Sequence, residues 1–189
     1  MPVRAAQISS LLRDHRPSDP VEGEHQIRML ALADVAGPAR DPLSRDHFAP
    51  GHFTASAFIL APQGAALLLI HHRKLGRWLQ PGGHVAPDDA DLLAAARREC
   101  AEEVALADLP LHPRQPGPFD LDVHAIPAYR DCPGHEHFDV RFLFRAPSLE
   151  FGVGEEVAGA RWVGLDEVEA DPASDASVLR AVRKVRRYL

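Results

Sequence analysis

The chain has 189 residues, of which 46% are hydrophobic and 25% are charged. This length and this balance fit one globular domain with an added element, and they exclude a chain that is disordered throughout. The formal net charge of −6 at pH 7 argues against a dedicated duplex nucleic-acid-binding protein, which usually presents a basic face. It is compatible with small anionic ligands that are bound through a metal ion.

The sequence also predicts the compartment. The longest apolar run, residues 65–70, is far shorter than a membrane span, so we expect no membrane association. The N-terminal residues lack the apolar core of a signal peptide. The chain has only two cysteines, Cys100 and Cys132, so a disulfide framework is not expected and we predict a cytoplasmic protein.

The N-terminal quarter of the chain is predicted to be helical. Apolar spacing indicates helices over residues 5–15 and 21–36, and Asp19-Pro20 is typical of a helix start. We therefore predict a helical N-terminal extension over residues 1–50 and a main domain over residues 51–189.

The rest of the chain combines predicted strands and helices. Six segments have strand-like composition or alternation: residues 53–60, 65–71, 78–79, 119–126, 137–145 and 159–163. A long helix separates the third of these strands from the fourth, and a terminal helix follows from about Ser174. This order predicts an α/β fold with a mixed sheet and helices on its faces.

The long helix carries a cluster of three glutamates. Residues 87–89 (Pro-Asp-Asp) can begin this helix, because an aspartate side chain accepts hydrogen bonds from the free N–H groups of the first turn. Glu99, Glu102 and Glu103 then fall at positions i, i+3 and i+4, so their carboxylates share one face.

The residues alone leave two interpretations of this cluster open. Most charged helical residues simply face solvent, and Arg98 with Glu102 has the spacing of an ordinary surface ion pair. However, like charges at this spacing repel one another, whereas a divalent cation such as Mg²⁺ attracts several oxygen ligands at once. Gly82 and Gly83 shortly before the helix let the backbone approach a ligand closely, and this favours the metal interpretation.

The same stretch resembles the signature of the Nudix hydrolase family. PGG at residues 81–83 is followed by RECAEE at residues 98–103, with Leu106 at the final apolar place of the signature. The flanks are also similar, because LLLIHH and WLQPGGH lead into the motif and GARWVGLDEV at residues 159–168 resembles the family's late strand. The resemblance covers roughly residues 52–170.

Two positions depart from the family pattern. Asp88 or Asp89 stands near the place of the glutamate that follows the glycines, and the spacing to Arg98 is one residue longer, so the role of that glutamate is open. Ala105 replaces the glycine that normally closes the helix, and we therefore expect a different C-cap. Neither change removes a metal ligand that the resemblance implies.

The resemblance implies a Nudix-type α/β/α sandwich with Mg²⁺ or Mn²⁺ as cofactor. The implied activity is hydrolysis of the diphosphate linkage in a nucleoside diphosphate linked to another moiety, so the expected partner is a small nucleotide-type substrate. The implied metal ligands are Glu99, Glu102, Glu103 and the carbonyl of Gly82, with the glutamates as catalytic residues. Arg98 is expected to hold the glutamates in position, and bound cations would screen the phosphates and activate water.

Further site residues are expected outside the helix. The general base in this family often comes from a loop before the late strand, where Glu156 is our candidate and Glu155 its rival. Arg73 and Lys74 precede the glycines and His84 follows them, so they are candidate substrate contacts. An ordinary surface position is the alternative for each of these residues.

Cysteine and histidines that could bind zinc occur close together at Cys132, His135 and His137. Their spacing is compatible with a zinc-binding site. A structural zinc site would need a fourth ligand, which the sequence does not identify. The alternative is a polar loop that runs into a strand.

Two alternatives concern the whole protein. A catalytically silent Nudix-like regulator that binds a nucleotide derivative is the alternative function, and the retained acidic ligands argue against it. Under either function, residues 1–50 are a candidate interface of a homodimer. The sequence does not choose among nucleotide derivatives, because loops and strand faces select the substrate in such a fold.

Overall fold

The computed structural model describes residues 2–35, 37, 40–73 and 75–189. The helices are α1 (Pro2–Asp14), α2 (Pro20–Asp34), α3 (Leu92–Val104), α4 (Leu165–Ala170) and α5 (Ala176–Val185), with a 3₁₀ turn at Arg186–Tyr188. The strands are β1 (Gly51–Leu60), β2 (Ala66–His72), β3 (Arg77–Leu79), β4 (Gly82–His84), β5 (Pro118–Ile126), β6 (His135–Arg145) and β7 (Val157–Gly164).

The strands of the described residues form a mixed sheet. Its order is β3-β2-β1-β6-β5, with β4 paired to β1 and β7 paired to β2. Strand β2 runs antiparallel to β1, β3 and β7. The predicted α/β class, with a mixed sheet, helices on both sides and a helical N-terminal region, is confirmed. Among the described helices, none combines the length and apolarity that crossing a bilayer requires.

The chain divides into two compact units. The first unit comprises the residues up to Ala55, Gly83–Ala95 and Gly117–Arg141. The second unit comprises Ser56–Gly82, Ala96–Pro116 and Phe142–Leu189. The domain boundary predicted between residues 50 and 51 stays a prediction.

Within the first unit, α2 begins where the sequence predicts. The carboxylate of Asp19 accepts a hydrogen bond from the N–H of Glu22 at 2.9 Å, and Pro20 occupies the first turn, where no N–H is needed. The helix ends at Asp34. Ala36, the last residue of the predicted helix, lies outside the described residues.

A buried charge network joins β5 and β6 in the first unit. The guanidinium of Arg141, which is 1% exposed, lies 2.9–3.2 Å from three carboxylates. They belong to Asp120, Asp122 and Asp139. The hydroxyl of Thr54 on β1 donates to Asp139 at 3.1 Å. Because buried charges are tolerated only when they are paired, this network favours one register of the strands.

Helix α3 begins later than predicted. The carboxylate of Asp91 accepts from the N–H of Ala94 at 2.7 Å, which makes Asp91 the N-cap. Asp89 instead accepts from the N–H of Ala86 at 2.7 Å and closes the preceding turn. The predicted start at residues 87–89 is therefore wrong, because neighbouring aspartates compete for the same capping role.

Alanine takes the place of glycine at the end of α3. Ala105 has a φ of 55°, the left-handed conformation that glycine usually supplies after a helix. The N–H of Leu106 donates to the carbonyl of Cys100 at 3.2 Å. The residue at the cap thus differs from the family pattern, whereas the backbone conformation is the one that glycine favours.

Candidate metal and active site

Helix α3 brings its acidic side chains together within the second unit. The guanidinium of Arg98 donates to Glu99 at 3.0 Å and to Glu102 at 2.8 Å. The side chain of Glu102 is 53% exposed, whereas that of Glu99 is 13% exposed. One arginine therefore bridges both carboxylates, and its expected role of positioning them for a metal stays a prediction.

The third glutamate of α3 faces the glycine turn. Glu103 is 7% exposed, and its Oε2 accepts a hydrogen bond from the N–H of Gly82 at 2.9 Å. Gly82 has a φ of 150°, which side-chain-bearing residues rarely adopt. The structure thus brings Gly82 and Glu103 together through the glycine N–H, and the expected metal contact of the Gly82 carbonyl stays a prediction.

The electrostatics of the cluster show an excess of negative charge. Burial is the largest cause that raises the pKa of Glu103 to about 7; the carboxylates of Glu99, Glu156 and Glu102 also raise it, against the Gly82 N–H. Burial likewise raises the pKa of Glu99, which the neighbouring arginine opposes. A divalent cation would reverse these effects, because it stabilises the ionised carboxylates. Buried carboxylates that repel one another are the donor set that a hard cation such as Mg²⁺ prefers.

A loop before β7 is held against the end of α3. The N–H groups of Gly152 and Gly154 donate to the last carbonyls of the helix, Val104 and Glu103, each at 2.9 Å. A Cβ on Gly154 would lie 1.9 Å from the carbonyl oxygen of Glu102, so only glycine allows this approach. The loop continues directly into Glu155 and Glu156.

The two candidate bases differ in their surroundings. The charge of Glu156 raises the pKa of both Glu99 and Glu103, so it acts on the acidic cluster. The backbone carbonyl of Glu155 accepts from Nε of Arg73 at 3.2 Å. Both glutamates are exposed.

Two of the candidate substrate contacts, Arg73 and His84, lie in the described part of the chain. Arg73 is exposed in the second unit beside the loop that carries Glu155. Lys74 lies outside the described residues. His84 belongs to the first unit, where its ring centroid is 5.1 Å from that of His52. Their expected contacts with substrate stay predictions.

Sequence reasoning missed a group of histidines in the first unit. His52 on β1 lies with His135 and His137 on β6, and one ring nitrogen of each is within 4.8 Å of the others. The zinc interpretation joined the last two residues to Cys132, which is not part of this group. The alternation of His135 and His137 was visible, but only the pairing of β6 with β1 supplies His52.

Comparison with protein families gives one match. The family model described as the NUDIX domain matches residues 50–182, well over half of the chain. No curated protein matches the chain at the level of significance that we required.

Solved structures show the same fold at low sequence identity. The Ap4A hydrolase of C. elegans, in a binary complex, is 20% identical with a TM-score of 0.54, covering 72% of this chain and 96% of its own. A hydrolase of the NUDIX family from Clostridium perfringens is 19% identical with a TM-score of 0.53, covering 73% and 98%. The MutT protein of Methanosarcina mazei Go1 is 19% identical with a TM-score of 0.53, covering 71% and 92%. At these identities the similarities show the fold, an α/β/α sandwich, and no more.

Proposed function

Because this chain belongs to the NUDIX family, we propose that it hydrolyses the diphosphate linkage in a nucleoside diphosphate linked to another moiety. The observation that carries the proposal is the convergence of carboxylates on the end of α3. The charges of Glu99, Glu102 and Glu156 all raise the pKa of the buried Glu103. Such a cluster is costly unless a cation or a proton compensates it.

The cofactor in this proposal is Mg²⁺ or Mn²⁺. Glu99 and Glu103 are the principal ligands, with Glu102 and the carbonyl of Gly82 as further oxygen donors. When bound, the cation would screen the phosphate charge, orient the diphosphate and lower the pKa of the attacking water. The bridge from Arg98 to two of the glutamates supports the proposal, because it keeps their side chains in place for binding.

Glu156 is the proposed general base. A base must come within hydrogen-bond distance of the water that it deprotonates, and the charge of Glu156 acts on both principal ligands. Its rival, Glu155, is not among the principal causes of the pKa shifts of Glu99 and Glu103. The comparison of Glu156→Gln with Glu155→Gln separates them, since only the true base should lower kcat strongly and change its pH profile.

The substrate contacts in the proposal are Arg73, Lys74 and His84. The positively charged side chains of Arg73 and Lys74 would bind phosphate oxygens by charge-assisted hydrogen bonds. The identity of the group linked to the nucleoside diphosphate is left to experiment, because loops and strand faces select it. Cytoplasmic location and a homodimer through residues 1–50 stay predictions.

The test is a product screen over a panel of nucleoside diphosphate derivatives with Mg²⁺ or Mn²⁺. Glu103→Gln should lower turnover of the best substrate at least ~100-fold, because a carboxylate ligand of the reacting centre is lost. Glu150→Gln, which changes an exposed acid, is the matched control and should keep turnover. Near-normal turnover of the Glu103→Gln protein would reject the assignment.

The same screen tests the regulator alternative. A regulator would bind one nucleotide derivative tightly in the wild-type protein and release no product with either cation. Calorimetric titration of the panel measures that binding directly. Turnover that depends on Glu103 rejects this alternative.

A further inference from the structure

Four imidazole rings, two of them buried and two half-buried, lie close together in the first unit. The ring centroids of His52, His135 and His137 are 4.9–5.2 Å apart. His84 also lies beside this group, with its centroid 5.1 Å from His52 and 5.2 Å from His137. His135 and His137 share a face of β6 because side chains two residues apart on a strand point the same way.

Two of the rings are oriented by backbone carbonyls. Nδ1 of His52 is 3.2 Å from the carbonyl oxygen of His47, and Nδ1 of His135 is 2.9 Å from that of Pro133. Because a carbonyl only accepts hydrogen bonds, each Nδ1 carries the proton and each Nε2 keeps its lone pair. A hydrogen bond from the far nitrogen to a carbonyl is the usual support of a histidine that binds a metal.

The lone pair of His52 has no hydrogen-bond donor in the described part of the chain. His52 is 1% exposed, and its Nε2 is buried without a hydrogen-bond partner. Most buried polar atoms are satisfied, and an orphaned acceptor is costly. One ring nitrogen of His52 lies within 4.8 Å of a nitrogen from each of the other two rings, so a metal ion bound among the three rings could satisfy this lone pair.

Burial favours the neutral form of two of the rings, His52 and His137. Burial lowers the pKa of His137 to about 2, and the neighbouring histidines lower it in the same direction. Burial also lowers the pKa of His52. Neutral imidazole is the form that binds metals, so the direction of these two shifts is compatible with the geometry of the group.

We propose that His52, His135 and His137 form a zinc site. Three imidazoles and an open fourth position are a common zinc ligand set, and imidazole selects Zn²⁺ over the hard cations that carboxylates prefer. Zinc–nitrogen bonds of about 2.0–2.1 Å in a tetrahedron place the nitrogens roughly 3.3 Å apart, so binding draws the rings slightly inward. The site differs in ligand chemistry from the acidic cluster of α3 and does not depend on the proposed hydrolysis.

The test measures zinc after reconstitution with zinc sulfate and removal of the excess. The wild-type protein should hold roughly one zinc per chain, and His137→Ala should hold less than about a tenth of that amount. His71→Ala, which removes a histidine outside the cluster, is the matched control and should keep its zinc. The double variant Glu99→Gln/Glu103→Gln should also keep it, because the site has no carboxylate ligand.

Two further measurements keep the proposal falsifiable if His137→Ala folds poorly. The milder His52→Asn, with circular dichroism to verify folding, should lose zinc and the rise in Tm that zinc gives the wild-type protein. Cobalt in the wild-type protein should show the intense visible absorption of a tetrahedral site. The proposal would be overturned if the reconstituted wild-type protein held no zinc, or if a folded His52 or His137 variant retained zinc. It would also be overturned if cobalt in the wild-type protein showed only the weak absorption of an octahedral site.

Discussion

Replacing Glu103 with glutamine should stabilise the metal-free protein at alkaline pH. The pKa of Glu103 rises from 4.5 to about 7 on folding, chiefly through burial. Each pKa unit corresponds to about 1.4 kcal/mol, so ionised Glu103 destabilises the folded chain by about 3 kcal/mol. Glutamine removes this charge, while its amide oxygen can still accept the N–H of Gly82, which now donates to Glu103.

The sign of the pH dependence follows from proton binding. Between pH 4.5 and about 7 the folded state holds this proton more tightly than the unfolded state, so wild-type stability falls as the pH rises through that window. Below it, both states are protonated and the destabilisation disappears. The advantage of Glu103→Gln should therefore be about 3 kcal/mol at pH 8 and under about 1 kcal/mol at pH 5.

Urea unfolding in EDTA, followed by circular dichroism, measures both values. Glu102→Gln on the same turn is the control, because a side chain that is 53% exposed should change stability by less than about 1 kcal/mol. Mg²⁺ should restore part of the wild-type stability at pH 8, since it compensates the carboxylates. A Glu103→Gln protein that is no more stable than wild type at pH 8, or that gains equally at pH 5, would refute the charge argument.

Three other substitutions test the surrounding structure. Gly154→Ala should lower kcat/KM at least ~10-fold and the free energy of unfolding by about 1–3 kcal/mol, because the added Cβ would meet the carbonyl of Glu102. Gly159→Ala, which places its Cβ in open space, is the control. A Gly154→Ala protein that stays active and stable would contradict the close packing of this loop against α3. Ala105→Gly should raise the free energy of unfolding by about 0.5–1 kcal/mol in urea titrations, because glycine adopts the left-handed conformation without strain; a loss of stability would show that the Ala105 side chain packs favourably. Arg141→Met should lower the free energy of unfolding by about 3–5 kcal/mol, because three buried carboxylates lose their counter-ion; a change below about 1 kcal/mol would show that the network is dispensable.

Local patterns were sufficient to predict most of the elements. The spacing of Glu99, Glu102 and Glu103 placed them on one helical face, and the structure has α3 over these residues. The predicted start of α3 is wrong because Asp88, Asp89 and Asp91 are all suitable N-cap residues. Only the folded chain shows which of them accepts a hydrogen bond from the first turn. Strand β4 was missed because two glycines indicate a turn, whereas its pairing with β1 is a tertiary contact.

The candidate sites needed information beyond local pattern. The proximity of Gly82 to Glu103 was expected from the sequence. That the N–H of Gly82 makes the contact depends on the path of the backbone through the turn. The histidine group could not be found, because His52 is more than eighty residues from His135 in the sequence. Periodicity describes the faces of a single strand and contains no information on which strands become neighbours.

The two glycine N–H groups that bind the end of α3 should restrict movement of the loop that carries the proposed base. If the loop over residues 152–156 swung away, the carbonyls of Val104 and Glu103 would lose their donors. The proposed base and the proposed ligands should therefore move as one rigid piece. Under the proposed function, admission of substrate would then depend on segments other than this loop, and substrate specificity could diverge in those segments without disturbing the proposed hydrolytic centre.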